Sequence, residues 1–144
     1  MARYRTAVES TLSAEGAFEY MAAFENTERW DPGVAEAARL TDGPVALGTR
    51  FLVVATFLGR RLPLPYEVTT FEPNRRLAVT AETSSLRSVD EIRIEAGATG
   101  AIVSYDADLV LRGAARVAAP ALPLAFKRIG DRARDGLRRE LNPT

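Results

Sequence analysis

The chain has 144 residues, the size of one ordinary domain, and 47% of them are hydrophobic, which is enough for a proper core but leaves no material for a second domain. Nineteen basic residues balance nineteen acidic ones and the sequence pI is about 6.4, so no general attraction to phosphate backbones exists and nucleic acid is not an expected partner. There is no cysteine and no histidine, which removes disulfide frameworks, thiolate or imidazole metal sites, and the Ser-His-Asp and Cys-His pairs of nucleophilic catalysis.

Residues Ala2 to Ser10 alternate, with Tyr4, Thr6 and Val8 on one side, and read as a first strand. Ser13 is a suitable N-cap for a short helix carrying Ala17, Phe18, Met21, Ala22 and Phe24 at helical steps. Asn26 to Trp30 reads as a second short helical turn, closed by Asp31-Pro32-Gly33. Turn chemistry then divides a meander of six strands, about 34–41, 49–58, 61–72, 76–83, 87–96 and 100–111. In the fifth of these Asp90, Ile92 and Ile94 share the inner face, and in the sixth Val103, Tyr105, Ala107, Leu109 and Leu111 do. The strands around Phe51–Phe57 and Leu62–Phe71 are apolar on both sides, so their register stays open. Pro63 and Pro65 cannot donate ladder hydrogen bonds and point to an edge, a bulge or a long hairpin end.

The last third, Arg116 to Leu141, reads as one long helix. Leu122, Phe126, Ile129, Ala133, Leu137 and Leu141 form its apolar stripe, with charged residues opposite. Pro120 and Pro123 predict a late start or a kink, with regular helix from about Leu124. The expected fold is therefore α+β: a seven-stranded curved antiparallel sheet around a long C-terminal helix, with two short helices between strands 1 and 2. The longest weakly charged run, Val117 to Phe126, holds two prolines and is about half a membrane span, and no signal core opens the chain. A cytoplasmic protein with no integral membrane segment, monomeric or homodimeric, is expected. Lys127 is the only lysine, consistent with a GC-rich bacterial coding bias.

Three segments carry a family resemblance: Phe24-Glu25-Asn26-Thr27-Glu28-Arg29-Trp30-Asp31-Pro32-Gly33-Val34, Gly43-Pro44-Val45-Ala46-Leu47-Gly48-Thr49-Arg50-Phe51, and Tyr66-Glu67-Val68-Thr69-Thr70-Phe71-Glu72-Pro73-Asn74-Arg75-Arg76-Leu77. With the order of elements, they resemble the polyketide cyclase/dehydratase branch of the START-related (SRPBCC, birch-pollen-allergen-like) superfamily, over essentially the whole chain. The resemblance implies a helix-grip fold with a deep, mainly hydrophobic cavity between sheet and last helix. Different members use that cavity for lipids, sterols, polyketides or hormones, and some for cyclisation; the fold alone does not select among these.

Seven residues are candidate ligand contacts: Trp30, Phe57, Tyr66, Asp90, Tyr105, Leu122 and Phe126. Trp30 either stacks on a ligand or plugs the sheet's edge, and Asp31 either orients that ligand or opens the turn. Asp90 is inward by alternation. Desolvated there, it would serve as an acid/base or anchor a ligand hydroxyl; at a wet strand entrance it would pair with Arg50 or Arg87. Tyr105 is inward by the same alternation and Tyr66 is a second candidate; each either offers a phenol to a ligand carbonyl or simply packs. Asp106, Asp108, Glu91, Glu95 and Arg93 read as cross-strand charge on a solvated face. No catalytic residue, metal or cofactor is assigned. The leading expectation is a protein that binds a hydrophobic or amphipathic small molecule; the alternatives are a cyclase/dehydratase using Asp and Tyr, and a protein-interaction module.

Overall fold

The computed structural model describes residues 2–57 and 59–143. Its strands are β1 (Ala2–Ser10), β2 (Val34–Arg39), β3 (Arg50–Phe57), β4 (Arg60–Glu72), β5 (Arg76–Glu82), β6 (Leu86–Ala96) and β7 (Ala101–Leu111). They form one antiparallel sheet in the order β1-β7-β6-β5-β4-β3-β2. The first two strands are thus its opposite edges, and the chain crosses between them through α1 (Ala14–Ala22), a 3-10 turn at Phe24–Asn26 and α2 (Thr27–Trp30). Ser13 caps α1 as its type predicts, the hydroxyl accepting the Gly16 N–H at 3.0 Å.

The alternation in β6 and β7 reads as expected. Ser88, Asp90, Ile92 and Ile94 are buried on one side of β6, and Val103, Tyr105 and Leu109 on the same side of β7. The open register of β3 and β4 is settled by packing: Val53, Ala55 and Phe57 face the interior with Leu62, Leu64 and Tyr66. A bulge between Val68 and Thr70 then reverses the parity of β4, so that Phe71 turns inward to meet Phe18 of α1 edge-on at 5.7 Å. Pro63 and Pro65 oppose Val54 and Leu52 of β3, while pairing with β5 begins only at Tyr66. They therefore sit in a hairpin end that has no ladder on its β5 side to supply.

The C-terminal element differs from the expected single helix. Gly113–Ala121 is a 3-10 helix, and the α-helix α3 runs Leu122–Glu140, starting two residues before the expected Leu124. Pro123 falls in its first turn, where a missing N–H costs nothing. The close contacts of α3 are with β1 and α2. Its second half and the residues that follow are pinned to β1: the Tyr4 hydroxyl donates to Asp131 at 2.7 Å, the Ser10 hydroxyl to the Leu141 carbonyl at 2.6 Å, and the Asn142 side chain holds the backbone of Glu9 and Thr11. Two glycines allow this approach. A Cβ on Gly136 would lie 1.8 Å from the Trp30 carbonyl oxygen, and one on Gly130 would lie 2.2 Å from the Tyr4 ring. The fold is the α+β helix-grip arrangement, with α1 packed on β6 and β7 and the helix α3 bridging the rest of the sheet's inner face.

Candidate ligand cavity

Between the sheet and α3 lies a cavity of about 130 Å3. Its wall is mostly apolar: Phe24 and Trp30 from the crossover, Val53 and Phe57 from β3, Leu62 and Leu64 from β4, Leu86 from β6, Ala107 and Leu109 from β7, and Phe126, Ile129 and Ala133 from α3. Phe57, Leu62, Phe126 and Ile129 are only partly buried, which makes this group its rim.

Polar groups gather at one place on the wall. Asp90, only 7% exposed, accepts the Tyr105 hydroxyl on Oδ2 and the Ser88 hydroxyl, at 3.3 Å, on Oδ1. With Asp90 ionised, the single Ser88 proton goes to it and the Tyr66 hydroxyl donates to Ser88 Oγ at 2.9 Å. The rings behind these hydroxyls are fixed by aromatic neighbours, Trp30 against Tyr105 at 5.3 Å and Phe24 against Tyr66 at 5.1 Å, both edge-on. Asp31 lies on the same cavity with Oδ1 accepting the Gly33 N–H at 2.8 Å.

Burial governs the charge state of this cluster. It pushes the Asp90 carboxyl from an ordinary 3.8 up to about 7, against the opposing pull of the Tyr105 and Ser88 hydrogen bonds, and the nearby Asp31 adds repulsion. Burial likewise raises Asp31 to about 6, with the Gly33 hydrogen bond acting the other way. Tyr66 and Tyr105 are held well above the usual phenol range, first by burial and then by the Asp90 charge, so both remain donors. A carboxyl balanced near neutrality beside a phenol donor is able to hold a ligand hydroxyl or carbonyl in either protonation state, or to move a proton.

Six of the seven residues singled out in the sequence, Trp30, Phe57, Tyr66, Asp90, Tyr105 and Phe126, line this one cavity. Leu122 does not. It is buried at the start of α3 and faces a separate depression beside Arg112 and Arg116. The arginine partners considered for Asp90 are engaged elsewhere, Arg50 with Glu67 at 3.2 Å and Arg87 with Glu82 at 2.8 Å. Sequence reasoning missed Ser88, although its position two residues before Asp90 on the same strand face was a usable signal. It also missed Tyr4 as a wall residue, and Gly130, whose role rests on a contact 126 positions away in the chain. Among the described residues no group of three acidic, histidine or cysteine side chains is placed to hold a metal ion, and no helix is long and apolar enough to cross a membrane.

A curved sheet gripping a long helix over an apolar cavity defines a START-like protein of the SRPBCC superfamily. Within that class the chain belongs to the family described as polyketide cyclase/dehydrase and lipid transport, whose sequence model matches residues 1–142. A comparison with curated proteins finds no match in sequence. Among solved structures, it is similar to the aromatase/cyclase ZhuI of Streptomyces sp. R1128, with a TM-score of 0.79 at 15% identity over 96% of this chain and 92% of that one. It is also similar to a START superfamily protein of Mycobacterium smegmatis, with a TM-score of 0.76 at 16% identity over 98% and 97% of the two chains. At such identities these likenesses concern the fold.

Proposed function

We propose that this protein binds a hydrophobic or amphipathic small molecule between the sheet and α3, with a ring or acyl segment among Trp30, Phe57 and Phe126 and a hydroxyl or carbonyl at Asp90, Tyr105 and Tyr66. One observation carries this reading: a largely apolar cavity whose polar atoms are gathered into a single hydrogen-bonded cluster. Its volume of about 130 Å3 is close to that of a cavity known to accept benzene, about 150 Å3, so one ring or a short chain fills it as it stands. A longer lipid or polyketide-like ligand would extend past the rim at Phe57 and Phe126.

Trp30 is the only tryptophan and forms part of the wall, so its emission reports occupancy. Titration with alkylphenols and medium-chain fatty acids is expected to shift or quench that emission saturably, and an Ala107→Phe variant, which fills the cavity beside Asp90, is expected to lose the response. A wild-type protein silent to every such ligand contradicts the proposal.

A second reading, acid/base catalysis on a polyketide-like carbonyl compound, is favoured by one specific observation: Asp90 and Tyr105 converge on the same enclosed wall. Asp90 would take a proton from a carbon next to a carbonyl while a tyrosine hydroxyl stabilises the oxyanion that forms. Exchange of the ligand's α-proton in heavy water, compared between wild type and Asp90→Asn, distinguishes the two. A binding role predicts that neither protein accelerates that exchange; catalysis predicts that wild type does and that Asp90→Asn, while still binding, does not.

A further inference from the structure

Apart from Leu122, which is buried, and Phe126, which lines the cavity, the segment joining β7 to the middle of α3 is largely uncovered. Gly113–Ala121 contains no buried residue, Val117 is 86% exposed, and Leu124, in the first turn of α3, is 59% exposed. Most of the residues around them are alanines and prolines, so the segment is apolar yet, Leu122 apart, lies outside the core. A nine-residue 3-10 run is long for that geometry, and no buried side chain of its own anchors it.

The charge of this segment is one-sided. From 109 to 130 the sequence has no acidic residue and four basic ones, Arg112, Arg116, Lys127 and Arg128, whereas the rest of the chain carries an excess of acidic residues that brings the total to zero. Arg112 approaches Glu82 at 3.8 Å and Lys127 pairs with Asp131 at 2.8 Å. Arg116 and Arg128 are exposed and, among the described residues, have no ion-pair partner.

Exposed aliphatic side chains flanked by cations are the composition of segments that rest at a lipid headgroup layer, with apolar groups entering the acyl boundary and cations on phosphates. The alternatives fit less well. A protein interface is usually anchored by buried aromatic residues, and no aromatic side chain of this segment is exposed, Phe126 being turned to the cavity. Single-stranded nucleic acid would ask for stacking platforms that are likewise missing.

We propose that the segment 112–128 docks this protein on an anionic lipid surface, with Val117 and Leu124 entering the headgroup region and Arg116 and Arg128 meeting lipid phosphates. Docking would bring the α3 side of the cavity to that surface, because Phe126 and Ile129 on its rim follow Leu124 within two turns. The inference does not depend on what the cavity holds.

The test is co-sedimentation of the intact protein with vesicles of phosphatidylcholine alone and of phosphatidylcholine with phosphatidylglycerol, at low and high salt. Binding is expected only with phosphatidylglycerol and is expected to weaken as salt rises. Replacing both Arg116→Gln and Arg128→Gln should lower partitioning by roughly tenfold or more, at about one kcal/mol per cation. Val117→Asp with Leu124→Asp should abolish binding at low salt as well. Leu47→Asp, an equally simple change at a residue 68% exposed in the β2–β3 loop, should have no effect. None of these side chains lines the cavity, so every variant should keep the wild-type melting temperature and Trp30 emission. The proposal is overturned if binding ignores phosphatidylglycerol or if the arginine variant binds like wild type. It is equally overturned if the aspartate variant changes only the oligomeric state in light scattering, which would make the segment an interface between copies of this chain.

Discussion

Asp90 is the residue on which most of the site's behaviour turns. A carboxyl raised from 3.8 to about 7 keeps its proton in the folded state over a pH range where the unfolded chain gives it up. Folding stability is therefore fullest below the unfolded value and falls as pH rises through the interval up to about 7. Asp31, raised to about 6, adds a decline of the same sign over its own narrower interval. Asp90→Asn keeps one acceptor oxygen for Tyr105 and turns an amide N–H toward Ser88 Oγ, without the buried charge. It should be more stable than wild type at pH 8, by on the order of a few kcal/mol at most, with the difference shrinking toward pH 4. Urea unfolding at both pH values checks this; a variant less stable at pH 8 would mean that the charged network stabilises the fold. The inward position of Asp90 was legible because Ile92 and Ile94 follow it at steps of two on a strand whose other face is charged. Its hydrogen-bond chain was not, because Tyr66 and Ser88 meet only after β4, β5 and β6 pair.

At the scale of elements, α3 shows where sequence periodicity stops being informative. Its apolar stripe was readable at steps of three and four, yet Leu122 at the head of that stripe packs away from the cavity. Pro120 and Pro123 are compatible with both a 3-10 run and a first α-turn, so the boundary at Leu122 depended on packing rather than on residue type. The register of β4 was hidden for a related reason: both faces are apolar, and the bulge at Val68/Thr70 exchanges them partway. The glycines of α3 are set by tertiary approach. In an isolated helix, alanine at these positions would be favoured by about one kcal/mol. Here Gly136→Ala should instead destabilise by roughly 1–3 kcal/mol or more, because the new methyl would meet Trp30 backbone that has little room to move. Gly130→Ala should cost less, since the atoms it meets belong to the Tyr4 side chain, which can swing if its bond to Asp131 is given up. Thermal melts of the two variants measure that order; equal and small effects would show that α3 is not held close to β1 and α2.

For the whole molecule, division of labour follows from topology. The crossover of α1 and α2 carries the chain from one sheet edge to the other and fills one part of the concave face, while α3 spans the remainder and leaves space beneath it. That space is where six separately placed side chains meet, and it is the reason a sheet-and-helix scaffold without histidine or cysteine still has an enclosed cluster of hydrogen-bonded polar groups. The most direct test is native mass spectrometry of the protein purified from its own host, wild type beside Ala107→Phe, with organic extraction of whatever co-purifies. The account predicts a bound small molecule on the wild type that is absent from the filled variant, and an apolar skeleton with at least one hydroxyl or carbonyl in the extract. Both proteins at the mass of the bare chain, with neither taking up alkylphenols or fatty acids on addition, would contradict it.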